Sequence, residues 1–105
     1  QLNRYVAPIS GVFACNMFVD NDSVRGAANV GVRPTVDDKT LKPILEVHLL
    51  NFDRSIYGKS VKVVFLAKIR EEKKFENLEA LKFAIKSDIR STQYFFHLNP
   101  NRKKT

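Results

Sequence analysis

Glu46 and His48 stand one residue apart inside the apolar run Ile-Leu-Glu-Val-His-Leu-Leu-Asn at positions 44–51. In an extended chain alternate residues share a face, so Leu45, Val47, Leu49 and Asn51 fall on one side and Ile44, Glu46, His48 and Leu50 on the other. A carboxylate in the middle of such a run is costly to bury unless it is paired or used. That makes Glu46 a candidate proton acceptor. The same pattern suits the outward face of a half-buried antiparallel strand, on which Glu46 and His48 are ordinary solvated side chains. The stretch alone is compatible with both readings.

Other kinds of chemistry are missing from the sequence. It has no glycine-rich Walker loop, no Gly-x-Gly-x-x-Gly and no Cys/His cluster at metal-binding spacing, and nothing marks a nucleophile elbow. The single cysteine, Cys15, has no partner for an intrachain disulfide, and its place in the alternating run 11–19 makes it a small core or barrel-facing residue. A net charge of +7 favours an anionic partner such as a nucleotide, a phosphorylated metabolite or a nucleic acid. Arg102, Lys103 and Lys104 belong to a polar tail, 99–105, expected to be disordered, so the charge on the folded part is smaller. The aromatic residues are mostly spaced as core residues rather than interleaved with Lys and Arg, which weighs against a single-strand stacking platform.

The elements that would carry Glu46 follow from periodicity. With 105 residues and 44% hydrophobic content the chain makes one domain, 1–98, around one core. It lacks the roughly 18-residue apolar run that spans a bilayer, and its start is not a signal peptide, so a cytoplasmic protein is expected. Residues 11–19 and 23–30 alternate and flank the turn residues Asp20-Asn-Asp22, as in a hairpin. Gly31-Val-Arg-Pro-Thr35 breaks the pattern, because Pro34 removes a ladder donor, and 36–43 reads as a polar loop. The break gives Arg33 and Thr35 a place in a turn. A strand over 44–52 follows, then a long one over 60–70 that places Val61, Val63, Phe65, Ala67 and Ile69 on one face and Lys62, Lys68 and Arg70 on the other, and that is expected to bend. Asn77 is placed as the N-cap of an amphipathic helix from about residue 78 to about residue 94, with Lys82, Lys86 and Arg90 as its solvated stripe. Four or five antiparallel strands and a terminal helix describe a barrel or strongly bent sheet closed at one end, with fewer strands than a closed barrel needs.

Four segments in this order resemble the riboflavin kinase domain that forms the carboxy-terminal half of bacterial bifunctional riboflavin kinase/FAD synthetases. They are Gly26-Ala-Ala-Asn-Val-Gly-Val-Arg-Pro-Thr35, Leu45-Glu-Val-His-Leu-Leu-Asn-Phe52, Ile56-Tyr-Gly58, and Ile69-Arg-Glu-Glu-Lys-Lys-Phe75 leading into Leu78-Glu-Ala-Leu81. The resemblance implies a six-stranded antiparallel β-barrel with a carboxy-terminal helix. It also implies transfer of the γ-phosphate of ATP to the 5′-hydroxyl of riboflavin, giving FMN, with Mg²⁺ as cofactor. Glu46 would be the catalytic base, Leu49, Asn51 and Tyr57 would line the ATP side, and Arg70 and Lys73 the flavin side, supported by Phe75 and Leu78. The family's Gly-x-Pro-Thr-Ala-Asn segment, whose threonine and asparagine hold Mg²⁺ and the phosphates, does not occur in these 105 residues. It is expected before residue 1, together with the first strands and an FMN adenylyltransferase domain. On that expectation the chain is a truncated kinase domain, inactive alone, whose open strand edges favour dimers. A small basic β-barrel that binds nucleic acid is the alternative, and a catalytically silent regulatory barrel of the same family is a third reading.

Overall fold

The computed structural model describes residues 9–101. Four antiparallel strands form one sheet, followed by a single helix: β1 Gly11–Val19, β2 Asp22–Pro34, β3 Leu41–Leu49, β4 Val61–Arg70 and α1 Leu78–Leu98. The order across the sheet is β3-β2-β1-β4, so among the described residues β3 and β4 are its edges. This is the mainly β, helix-closed architecture expected of a riboflavin-kinase-like barrel, present here as an open sheet. The start of the chain and the basic residues from Arg102 onward lie outside the described residues.

The hairpin of β1 and β2 turns at Asp20, whose φ of 54° is the left-handed conformation that Asp tolerates in tight turns. β2 then runs past the expected break. Val32 pairs with Pro43 and Pro34 with Leu41, so residues 31–34 and 41–43 are strand rather than loop. Proline is admitted because Pro34 ends its strand and Pro43 sits on an edge strand, where one side of the backbone has no partner to serve. The remaining loop, 35–40, is closed by Thr35, which donates to Asp37 Oδ1 at 2.6 Å, and by the Thr35 amide on the Thr40 carbonyl at 3.0 Å. Thr35 is a turn residue, as expected; Arg33 lies in β2. At the other end β3 stops at Leu49. Asn51, expected on the strand face with Val47 and Leu49, instead occupies a left-handed turn with φ 53°.

β4 bends as expected, through register shifts against β1 between Val12 and Phe13 and between Ala14 and Cys15. Each shift inserts an extra residue and exchanges the two faces of the strand. Ala67 therefore stands opposite Ala14, whereas Lys68 turns to the other side and lies over the Phe13 ring, which stacks on Phe65 at 4.9 Å. The uninterrupted alternation expected for 60–70, with Lys68 beside Arg70, is corrected by these bulges. Arg70, paired with Val12, and Lys62, paired with Phe18, stay on the helix side of the sheet, which Lys68 leaves.

α1 begins where Asn77 Oδ1 accepts from the Ala80 amide at 2.8 Å. It continues to Leu98, one turn beyond the expected end near Tyr94. Asn99 caps it, donating through Nδ2 to the Phe95 carbonyl at 2.9 Å. The helix packs across β1, β2 and β4. Small residues at the middle of that face, Ala14 and Ala27, are buried and let the helix approach closely, while Asp88, Thr92 and Phe96 are the buried helix residues that meet the sheet. Lys82, Lys86 and Arg90 are exposed, as the solvated stripe requires.

Cys15, Met17 and Val19 are buried on the opposite face. Burial pushes the Cys15 thiol up to about 11 from its ordinary 9.0. The unfolded thiol thus ionises first, so stability is unaffected below pH 9 and declines as pH rises from 9 to 11. Denaturant titrations across that range should show a Cys15→Ala variant losing less stability than the parent, by roughly 1–3 kcal/mol. Equal losses would contradict a buried, neutral thiol.

Candidate functional site

A cavity of about 450 Å³ lies between α1 and the helix-facing side of the sheet. Glu46 and His48 reach it from β3, Asn29 and Arg33 from β2, Arg70 from the end of β4, and Glu72, Lys73 and Phe75 from the loop that follows. Leu81, Ile85 and Ile89 form its apolar wall on α1. The alternation of β3 thus turns Glu46 and His48 toward a lined cavity rather than toward featureless solvent. The Glu46 side chain remains 65% exposed, open enough to meet a solute. Asn29 is its cross-strand partner, and Asn29 Oδ1 is buried without a hydrogen bond among the described residues. Such an atom costs about 1–3 kcal/mol until a donor reaches it.

The strongest polar contact of the site joins β4 to α1. Arg70 donates from Nε to Asp88 Oδ1 and from Nη2 to Oδ2, both at 2.8 Å, in the two-pronged geometry that suits guanidinium and carboxylate. The hydrogen bond to Asp88 raises the Arg70 pKa above its ordinary value and keeps the group charged. Arg70 Nη1 also donates to the Glu71 carbonyl at 3.0 Å, and its guanidinium lies 5.5 Å from the centre of the Phe75 ring. One side chain therefore anchors the helix, the loop backbone and an aromatic wall. Lys73 Nζ approaches the same ring at 5.7 Å.

Of the residues singled out in the sequence, Glu46, Arg70 and Lys73 come together around this cavity, with Phe75 beside them. Leu78, 60% exposed, stays outside it. Asn51 lines a different cavity, of about 370 Å³, with Arg25, Phe96 and His97 at the far end of α1. Leu49 ends β3 on the face away from Glu46, and Tyr57 is 97% exposed in the loop before β4; neither lines either cavity.

Asp88, Asn29 and Glu72 escaped the sequence reading, as did any role of Arg33 beyond a turn. Asp88 was detectable: Leu81, Ile85, Ile89 and Phe96 mark the sheet-facing side of α1, and residue 88 falls among them at helical spacing. A carboxylate on a buried helix face calls for a cation.

The family model for flavokinase, riboflavin kinase, matches residues 1–96. The chain belongs to the riboflavin kinase family. It is 47% identical over 89 residues to a bifunctional riboflavin kinase/FMN adenylyltransferase of Pseudomonas fluorescens, covering 85% of this chain and 28% of that one. To the protein of the same description from Haemophilus influenzae it is 41% identical over 98 residues, 92% of this chain and 31% of the other. It thus spans under a third of the length of these relatives. Among solved structures it is similar to a crystal structure described as a macrolide-efflux protein from Streptococcus pneumoniae, with TM-score 0.72 and 30% identity over 88% of this chain and 30% of that one. The efflux description belongs to that protein.

In this riboflavin kinase domain the basic excess is partly spent on its own aromatic rings. Arg25 lies over Phe96 at 4.6 Å, Arg54 over Phe52 at 5.4 Å and Lys62 over Phe18 at 5.8 Å, besides the Phe13 and Phe75 contacts above. Rings capped in this way are not free to stack on bases, which counts against the nucleic-acid alternative. Among the described residues no three His, Cys, Asp or Glu side chains converge as a metal cluster.

The Arg70–Asp88 pair is mostly buried, with side chains 25% and 12% exposed. Asp88→Asn leaves Arg70 charged against an amide and should cost about 1–3 kcal/mol, read as a lower urea midpoint. An unchanged midpoint would show that the pair does not hold α1 to β4.

Proposed function

We propose that this domain transfers the γ-phosphate of ATP to the 5′-hydroxyl of riboflavin, with Glu46 as the base. The observation that carries the reading is that Glu46, from β3, and Arg70 and Lys73, from the end of β4 and the loop that follows it, line one cavity in a chain that belongs to the riboflavin kinase family. The apolar wall of Leu81, Ile85 and Ile89 and the ring of Phe75 suit a planar flavin, and the buried Oδ1 of Asn29 suits a donor on that ligand. Arg70, already held by Asp88, presents its guanidinium plane toward the flavin side, and Lys73 adds a positive charge at the loop.

The reaction needs the ribityl hydroxyl beside Glu46. As its oxygen bonds to the γ-phosphorus, the proton passes to a Glu46 carboxylate oxygen, the bond to the bridging oxygen breaks and its electron pair leaves with ADP. Phosphoryl transfer depends mostly on positioning and charge compensation, so a base of this kind affects turnover more than binding. Mg²⁺ would neutralise the phosphates when bound, and its ligands are assigned to no residue of this chain. Leu49, Asn51 and Tyr57 are proposed for the ATP side on the resemblance alone.

The full-length protein is proposed to carry an FMN adenylyltransferase domain as well, in line with the description of its relatives, and to work in the cytoplasm. No described helix is long and apolar enough to cross a membrane. The edges of β3 and β4 support pairing with a further strand, from elsewhere in the full-length chain or from a second copy.

Mass-spectrometric detection of FMN from riboflavin and Mg·ATP tests the reading on the full-length protein. Glu46→Gln should lower kcat by about 10²–10⁴-fold, with riboflavin affinity changed far less. Full turnover in that variant would remove Glu46 from the chemistry, and absence of FMN from the parent would remove the kinase assignment.

A further inference from the structure

Asn29, Gly31 and Arg33 alternate along the last part of β2 and so share its cavity-facing side. Gly31 leaves a notch between them that the end of a neighbouring side chain occupies. A Cβ at that position would collide with the carboxylate of Glu72, from the loop after β4, and would stand 3.1 Å from Arg33 Nη1. The notch left by the absent side chain is where Glu72 and Arg33 meet: Arg33 Nη1 lies 3.8 Å from Glu72 Oε2. Its other terminal nitrogen, Nη2, lies 4.0 Å from Glu46 Oε1, and Nη1 is steadied by donating to the Val32 carbonyl at 3.0 Å.

Neither ion pair is strong. Arg33 is half exposed, and at this length and exposure each contact adds little to stability. What they set is position. A planar guanidinium offers separate N–H edges to two carboxylates at once, which the single ammonium of lysine does not do with the same geometry. The neighbouring loop residue, Glu71, is held separately by Lys68 at 2.8 Å, so of these two adjacent acids Glu72 is the one that faces Arg33.

We propose that Arg33 is a positioning residue of the site, clasping Glu46 on β3 to the loop that carries Lys73 and Phe75 through its shared contact with Glu72. The clasp rests on geometry; its effect on turnover rests on the kinase reading above. A flavin that orders the loop thereby also fixes the base, and losing the clasp uncouples the two.

The test uses the full-length protein with Arg33→Met, Arg33→Lys, Glu72→Gln and Gly31→Ala, the last of which alters no charged group. Amide hydrogen exchange across residues 71–75 without ligand should accelerate several-fold in Arg33→Met, Glu72→Gln and Gly31→Ala. In Arg33→Met, kcat for FMN formation should fall about tenfold while riboflavin affinity, read by flavin fluorescence quenching, falls about threefold or less. Arg33→Lys should recover little of the rate, and the Arg33→Met/Glu72→Gln double variant should be no slower than Arg33→Met alone. Unchanged loop exchange in Arg33→Met and Glu72→Gln overturns the clasp whether or not Gly31→Ala folds. Faster exchange with unaltered kcat, or multiplying losses in the double variant, overturns the positioning role. If exchange behaves as expected but the parent neither binds riboflavin nor forms FMN, the kinase reading fails and takes the role of Arg33 in turnover with it.

Discussion

The two parallel hydrogen bonds between Arg70 and Asp88 fix the end of β4 to the middle of α1, and the cavity is defined by that attachment. A well-packed apolar pair at the same place would hold the helix about as firmly, because removing two charges from water offsets much of their attraction. It would not leave a charged, hydrogen-bonding wall beside apolar Ile85 and Ile89, nor hold the loop through the Glu71 carbonyl and the Phe75 ring. The charge pair is thus best understood through what it orients rather than through how much it stabilises.

The same economy applies around the rest of the cavity. Arg33 faces Glu46 and Glu72, Arg70 faces Asp88, and Lys73 rests near the Phe75 ring, so the positive groups are pre-engaged. A site with compensated charges presents shape, apolar wall and directed hydrogen-bonding groups more than net attraction, which suits an uncharged aromatic vitamin better than a polyanion. The net charge of +7 is accordingly a poor guide to the ligand of this cavity.

Much of this was legible in the sequence where local rules govern. The alternating run 11–19 identified β1, and Asn77 marked the start of α1, because capping depends on residues three positions apart. The readings failed where a neighbour decides. Pro34 and Pro43 look like breakers until an edge strand and a strand end make their missing donors harmless. The reversal of Lys68 comes from bulges set by the register against β1, which the sequence of β4 alone does not encode. Glu46 was found because an acid in an apolar strand is anomalous by itself. Glu72 and Arg33 were not, because in the sequence each is an ordinary charged residue, and they meet only in the fold, over Gly31.

The central claim is that the cavity under α1, opened on one side by Glu46, is where the flavin sits. Mapping riboflavin-induced shifts of backbone amide resonances tests it directly. The account predicts perturbations concentrated at residues 29–33, 46–48, 70–75 and 85–89. Shifts confined to the cavity of Asn51 and His97 at the far end of the helix, or an unperturbed spectrum at saturating riboflavin, would contradict it.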